Sequence, residues 1–219
     1  MATGIGIFGK TKEKWLSTGL SWLATSTIKA MAVDLSQWGS AITGATNATP
    51  IVVTSTSHGI TAGQKQYVLI AGVGGNTAAN GYFEATGIDA NTFSLQDPYT
   101  GANIAGSGAY TSGGRLVKLD QNQYLSDVPS GARGVVSSAL TNKSVTLGKL
   151  YGDTGVTNEI LLSAVTNGFA LSAILILNDT GTPSTADLIA AITEATNLPT
   201  TATGADVKYS IAGGAIARV

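Results

Sequence analysis

Short apolar runs separated by turn residues are the feature that most constrains this chain. In residues 40–115 the runs are Ile51–Thr54, Tyr67–Ile70, Gly81–Ala85 and Thr92–Leu95. Turns rich in Gly and Asn separate them, as at His58-Gly59 and at Asp89-Ala90-Asn91. Strands this short, divided by such turns, predict a small β-barrel or sandwich over this segment.

The segments on either side differ in pattern, which places module boundaries near residues 40 and 116. Trp15, Leu16, Leu20 and Leu23 recur at helical spacing and predict one helix within residues 11–27, followed by a strand over 28–35. Further strands are predicted after residue 116: Val145–Leu147, Ile160–Val165, Phe169–Leu177, Leu188–Thr193 and Val207–Ile211. The pattern of residues 186–196 is compatible with either a short helix or a strand. We favour a strand because the neighbouring elements are predicted strands.

Composition excludes several classes of function. The chain has no cysteine and one histidine, which excludes disulfide scaffolds, thiolate chemistry and histidine-rich zinc sites. Charged residues make up 11% of the 219 residues and the net charge is -1, so we expect no nucleic-acid partner. The apolar start at 1–9 is too short for a secretory signal, and we expect no membrane partner and synthesis in a cytosol. Weak surface charge favours assembly with neighbouring subunits.

The segment Gly4–Thr11 matches the phosphate-binding loop pattern, a glycine-rich turn that ends in Gly-Lys-Thr. In that interpretation Lys10 would contact the outer phosphates of a nucleotide and Thr11 would hold magnesium. The motif requires a buried strand before it and an alternating α/β fold, and this chain offers neither. We therefore interpret residues 1–10 as a flexible glycine-rich arm that orders on docking.

Other chemistry-bearing residues are sparse, and we expect no catalytic, cofactor-binding or metal-binding residues. His58 is interpreted as a turn residue whose ring bonds the backbone, because no spacing here supports a catalytic triad. We interpret the carboxylates as turn and cap residues: Asp34, Asp120, Asp127, Asp179, Asp187 and Glu194. Trp15 and Trp22 are predicted to pin the helix onto a sheet rather than to form a carbohydrate platform.

Three stretches of the middle segment resemble a small β-module found in tailed-bacteriophage virion proteins. These stretches are Ala48–Gln64, Val68–Gly81 and Asp89–Leu95. The His-Gly turn and the Asn-Thr-Phe-Ser-Leu strand recur in that module as structural features. The resemblance implies a structural role without catalysis.

The flanking segments are similar to a second phage structural family. The matching stretches are Lys14–Asp34, Tyr124–Arg133, Asp179–Gly181 and Asn197–Pro199. The resemblance implies that residues 1–39 and 116–219 form one discontinuous, β-sandwich-like base domain with an N-terminal helix. Residues 40–115 would then be a small β-module inserted in a loop, an arrangement that exposed loops tolerate. The fold class we expect is mainly β.

The resemblance implies a non-enzymatic virion protein, assembled in the bacterial cytoplasm. The favoured hypothesis is a capsid-associated cement, decoration or neck subunit that binds the major capsid protein or other virion subunits. It would act as a homo-oligomer, and trimers are common among such proteins. The alternative is a tail, baseplate or receptor-binding component that contacts a host glycan or receptor. We favour the first because no aromatic platform is visible in the sequence.

Overall fold

The structure is a computed structural model that describes residues 5–17, 22–23, 27–146, 149–156, 159–193, 198–210 and 215–218. Its architecture is mainly β, which confirms the expected fold class. The chain divides into two compact units. We call Trp38–Asp120 the inserted unit, and Ile5–Gln37 with Gln121–Val219 the base unit. None of the described helices is long and apolar enough to span a membrane.

The base unit begins with three elements: β1 (Ile5–Ile7), α1 (Gly9–Ser17) and β2 (Ile28–Val33). The prediction of a flexible arm is wrong for residues 5–10, because β1 pairs with a later strand and Gly9 already starts the helix. The helix also differs from its predicted range of 11–27: it starts earlier, and Trp22 and Leu23 lie in a turn. Residues 18–21 and 24–26 of that range, with Gly19 and Leu20, lie outside the described residues.

The inserted unit contains seven short strands. They are β3 (Ser40–Ala41), β4 (Gly44–Ala45), β5 (Val52–Thr54), β6 (Lys65–Ala71), β7 (Gly81–Gly87), β8 (Thr92–Gln96) and β9 (Arg115–Lys118). They form one antiparallel sheet in the order β3-β9-β6-β7-β8-β5-β4. Four of them, β5 to β8, cover the apolar runs that the sequence predicts.

This sheet curls until its two ends meet in one segment of chain. β3 and β4 are separated only by Ile42 and Thr43. The backbone N–H of Ile42 donates to Gly114 O at 3.0 Å, beside β9, whereas that of Thr43 donates to Thr54 O at 2.9 Å, in β5. The segment therefore changes partner at its midpoint and closes the sheet, which removes exposed edges.

The interior of the closed sheet is filled by alternate residues of its strands. Val68 and Ile70 of β6 and Phe83 and Ala85 of β7 belong to one buried cluster. The intervening residues, such as Tyr82, face away from it because successive side chains of a strand point to opposite faces. Gly39 has a φ of +86° and a Cβ there would lie 2.4 Å from Leu116 O, so only glycine allows this approach to β9.

The remaining base-unit strands follow residue 121. They are β10 (Arg133–Ala139), β11 (Thr141–Thr146), β12 (Lys149–Asp153), β13 (Glu159–Leu162), β14 (Ala170–Leu171), β15 (Ala173–Asn178), β16 (Asp187–Ile192), β17 (Thr200–Thr201), β18 (Val207–Ser210) and β19 (Ala215–Arg218). In the described residues the main sheet has the order β1-β16-β15-β2-β10, and a second sheet has the order β11-β12-β19. The pairs β13-β18 and β14-β17 complete the unit.

The base-unit core explains why residues 187–192 form a strand. Every residue of β16 is buried, and this strand lies between β1 and β15. After Asp187, the strand is a run of five buried apolar residues, Leu188–Ile192, which is the pattern of a central strand with both faces covered. The preference for a strand over a helix is therefore confirmed for Asp187–Ile192. Glu194 lies outside the described residues.

Candidate functional site

Within the Gly4–Thr11 motif, the described residues 5–11 form a strand and the start of a helix, joined by a single residue, Phe8. β1 ends at Ile7, α1 starts at Gly9, and Phe8 O accepts hydrogen bonds from the N–H groups of Thr11 and Lys12. The Thr11 side chain is 1% exposed, and its hydroxyl donates to Leu188 O of β16. Thr11 is therefore engaged in fixing the helix on the sheet. The Lys10 side chain lies outside the described residues.

Lys14 of α1 forms the next contact between the helix and β16. Its ammonium pairs with the Asp187 carboxylate and lies 4.9 Å from the ring centroid of Tyr124. Burial alone would lower the pKa of Lys14, but the hydrogen bond and charge of Asp187 raise it above its ordinary value. The cluster holds helix, strand and the 121–128 loop together, and all three of its members have partners within the chain.

His58 is a buried turn residue, as the sequence predicts. Its Nδ1 accepts a hydrogen bond from the Ile60 N–H at 3.0 Å. Its ring packs edge-to-face on Phe93, with centroids 5.0 Å apart at an interplanar angle of 75°. The side chain is fully buried, so it belongs to the interior of the inserted unit rather than to an open cleft.

The carboxylates that the sequence singles out hold turns and backbone groups. Asp120 accepts from the Tyr67 N–H at 2.6 Å, and Asp127 accepts from the N–H groups of Gln123 and Tyr124. Asp34 accepts from the Ser36 N–H. Asp179 pairs with Lys29 at 2.7 Å and accepts from the Gly181 N–H. Among the described residues, no three His, Asp or Glu side chains form a group that could hold a metal ion.

The tryptophans take structural positions where they are described. Trp22 is buried in the base-unit core, and its indole N–H donates to Tyr151 O at 2.9 Å. Trp38, the first residue of the inserted unit, is also buried. The Trp15 side chain lies outside the described residues, so the predicted contact of Trp15 with the sheet stays a prediction.

Sequence reasoning missed an aromatic cluster on the outer face of the inserted unit, which we call the tyrosine trio. Tyr67 and Tyr82 lie on β6 and β7, with ring centroids 5.6 Å apart. Tyr99 follows β8 and packs edge-on to Tyr82 at 6.2 Å. Burial, with the neighbouring tyrosines and the carboxylates of Asp120 and Glu84, raises the pKa of Tyr82 well above its ordinary value. Tyr99 is 50% exposed, whereas Tyr82 is 2% exposed, so Tyr99 is the member of the trio that faces solvent.

The loop before Tyr99 fixes its backbone. The Asp97 carboxylate accepts hydrogen bonds from the N–H groups of Tyr99 and Thr100 and from the Thr100 hydroxyl. An aspartate that bonds the backbone two and three residues ahead rigidifies a turn. A half-exposed tyrosine on a rigid turn is a side chain that a ligand or partner meets at low entropic cost.

A shallow pocket lies at one end of the inserted unit, with a volume of about 320 Å³. Its lining residues are Ser57, Gly59, Ile60, Thr61 and Ala90. Ser57 has a φ of +52°, an uncommon conformation for a residue other than glycine. Backbone held in such a conformation is found at ligand sites, so this loop is a second candidate surface.

Comparison with known proteins adds no functional residue to the surfaces described above. In the described inserted unit the half-exposed Tyr99 is the solvent-facing member of the tyrosine trio, and β11 is the most exposed strand of the described base unit. No protein-family model matches the chain, and no curated protein matches it.

Proposed function

We propose that this chain is a non-enzymatic structural protein of a tailed-bacteriophage virion, bound to the capsid as a cement, decoration or neck subunit. The resemblance of residues 48–64, 68–81, 89–95 and 124–133 to phage structural proteins supports this role. A mainly β chain with two compact units is consistent with it. The partners in this proposal are the major capsid protein, other virion subunits and further copies of the chain.

The observation that carries the proposal is the exposure of β11. It is the outermost strand of its sheet, with β12 as its neighbour, and five of its six residues are exposed. A strand exposed on both faces adds little to the core of its own chain. The backbone groups along an outer strand are a template for pairing with another chain. We therefore assign β11 to contact with a neighbouring virion subunit.

A binding assay on capsids tests this role of β11. Capsids that lack the protein would be mixed with purified protein, and bound copies counted after sedimentation. We expect Val145→Asp, which places a charge on a side chain that is 46% exposed, to weaken binding at least about tenfold, or about 1.4 kcal/mol. The matched control is Ile88→Asp, at a residue of the inserted unit that is 49% exposed. Equal binding by both variants would contradict the assignment.

The tyrosine trio favours a second candidate function, a tail, baseplate or receptor-binding component. The half-exposed Tyr99 ring, backed by Tyr82, is the kind of aromatic surface that sugars stack on. A glycan array tests this candidate, with Tyr99→Ala as the variant and Ile88→Ala as the control. Glycan binding that Tyr99→Ala abolishes and Ile88→Ala retains would favour the receptor-binding role.

A further inference from the structure

Unpaired buried polar atoms concentrate at one end of the inserted unit. In the described residues, the buried side-chain atoms without a hydrogen-bond partner are Ser55 Oγ, His58 Nε2, Gln66 Oε1 and Tyr209 Oη. Ser55 and His58 are fully buried. The first three atoms belong to the inserted unit, whereas Tyr209 lies in the base-unit core. Because a buried polar group without a hydrogen bond destabilises the folded state, a partner is expected for these three atoms.

Strand direction places these three residues at the same end of the closed sheet. Ser55 follows the C-terminal end of β5, and its N–H bonds Asn91 O just before β8. Gln66 lies at the N-terminal end of β6, opposite Ala85 near the C-terminal end of β7. The strands lie in the order β5-β8-β7-β6, and neighbouring strands are antiparallel. One end of the sheet therefore contains the end of β5, the start of β8, the end of β7 and the start of β6.

Side-chain alternation directs Ser55 and Gln66 to the interior. Val53 and Val68 belong to the interior cluster, and Ser55 and Gln66 each lie two residues away on the same face. His58 reaches the interior from the loop that follows, because its ring packs on the interior residue Phe93. This end of the interior therefore carries a hydroxyl, an imidazole and an amide oxygen.

The chemistry of these atoms defines the molecule they would bind. A backbone N–H can only donate, so the Ile60 bond makes His58 Nδ1 an acceptor and leaves the proton of the neutral ring on Nε2. His58 Nε2 therefore donates, Gln66 Oε1 accepts, and Ser55 Oγ can do either. An anion would leave the Gln66 oxygen unpaired, and a metal ion or ammonium would leave the His58 proton unpaired. Water both donates and accepts.

We propose that this polar end is a binding site for an internal water molecule held by Ser55 Oγ, His58 Nε2 and Gln66 Oε1. Three hydrogen bonds is the usual number for a buried water. The bound water fixes the ring of His58, and His58 Nδ1 in turn fixes the backbone of Ile60, which lines the surface pocket. The water thereby connects the interior to the shape of that pocket.

A high-resolution crystal structure of the full chain tests the proposal directly. We expect one ordered solvent peak within about 2.7–3.2 Å of all three atoms. An interior in which the three atoms bond one another, or in which the space is filled by a side chain, would overturn the proposal. Density for an ion in place of water would also overturn it.

Nitrogen NMR of the imidazole gives an independent test in solution, because His58 is the chain's one histidine and its signals need no assignment. We expect the Nε2–H tautomer, with a ring proton that exchanges slowly with solvent. Gln66→Met removes the acceptor for the water, and we expect roughly fivefold to tenfold faster exchange of that proton. The control is Gln64→Met, at an exposed residue two positions away, which should leave it unchanged. An Nδ1–H tautomer in the unmodified chain would contradict the site.

Discussion

Thr11 donates its hydroxyl proton to the backbone carbonyl of Leu188, a contact that fixes the start of α1 on the buried strand β16. The same threonine would hold magnesium if Gly4–Thr11 were a phosphate-binding loop. Thr11→Val keeps the shape of the side chain but removes its hydrogen bond to the Leu188 carbonyl. We expect it to lower the free energy of unfolding by about 1–3 kcal/mol, measured by urea denaturation.

The control for Thr11 is Thr203→Val, at an exposed residue, which should change stability little. Adding ATP and magnesium to the unmodified chain should leave its melting temperature unchanged, because a ligand that binds the folded state raises it. A melting temperature that rises with ATP, together with a neutral Thr11→Val, would favour the nucleotide-binding alternative.

Substitutions of Gly75 and Gly63 distinguish the cost of a steric collision from the cost of backbone strain in the inserted unit. Both have a left-handed backbone, with φ of +78° and +76°. A Cβ on Gly75 would lie 2.0 Å from Ala109 O, whereas one on Gly63 would have nothing within 4 Å. We expect Gly63→Ala to cost about 1 kcal/mol from strain alone and Gly75→Ala at least about 3 kcal/mol. Equal shifts of the two denaturation midpoints would disprove the crowding at Gly75.

Asp153 is a buried carboxylate that joins β12 to β11. It is 3% exposed and accepts hydrogen bonds from Thr141 Oγ1, Asn142 Nδ2 and the Gly155 N–H. Asp153→Ala removes three hydrogen bonds to a buried carboxylate, so we expect it to lower the free energy of unfolding by about 2–3 kcal/mol.

The comparator is Asp89→Ala, in an exposed turn where Asp89 accepts from the N–H groups of Asn91 and Thr92. Water replaces those bonds readily, so calorimetry should show a smaller decrease in melting temperature than for Asp153→Ala. A larger decrease for Asp89→Ala would contradict the account.

The Lys29–Asp179 pair makes stability depend on pH in acid. The hydrogen bond from Lys29, and then that from the Gly181 N–H, lower the pKa of Asp179 below its ordinary value of 3.8. A lowered folded-state pKa adds stability that is present above pH 3.8 and is lost as the pH falls through the folded-state value. Because the pair is partly exposed, we expect Asp179→Asn to remove about 0.5–1 kcal/mol at neutral pH and little at acidic pH. Denaturation curves at both pH values measure this, and an equal loss at both would rule out the pair as its cause.

The sequence predicts local elements well where the hydrophobic periodicity and the turn residues indicate the same structure. The runs around Val53, Val68, Phe83 and Phe93 are strands because alternate apolar residues and Gly or Asn turns favour the same structure. The helix is the exception, because its predicted range of 11–27 includes Trp22, which the structure places in a turn against the base-unit core.

The features that a linear pattern cannot reveal depend on strand register. Tyr67 lies on β6, Tyr82 on β7 and Tyr99 in the loop after β8, and only the pairing of β6 with β7 brings Tyr67 beside Tyr82. The polar end of the inserted unit likewise requires β5 and β6 to be aligned through β7 and β8. Long-range alignment of this kind is set by tertiary packing rather than by local propensity.

Copy number per particle tests the proposed virion role most directly. Quantitative mass spectrometry of purified phage particles would compare this chain with the major capsid protein. A capsid-bound subunit predicts a copy number comparable to that of the capsid lattice, and a neck subunit predicts a small fixed number per particle. Particles that are complete and infectious but contain none of this chain would contradict the account.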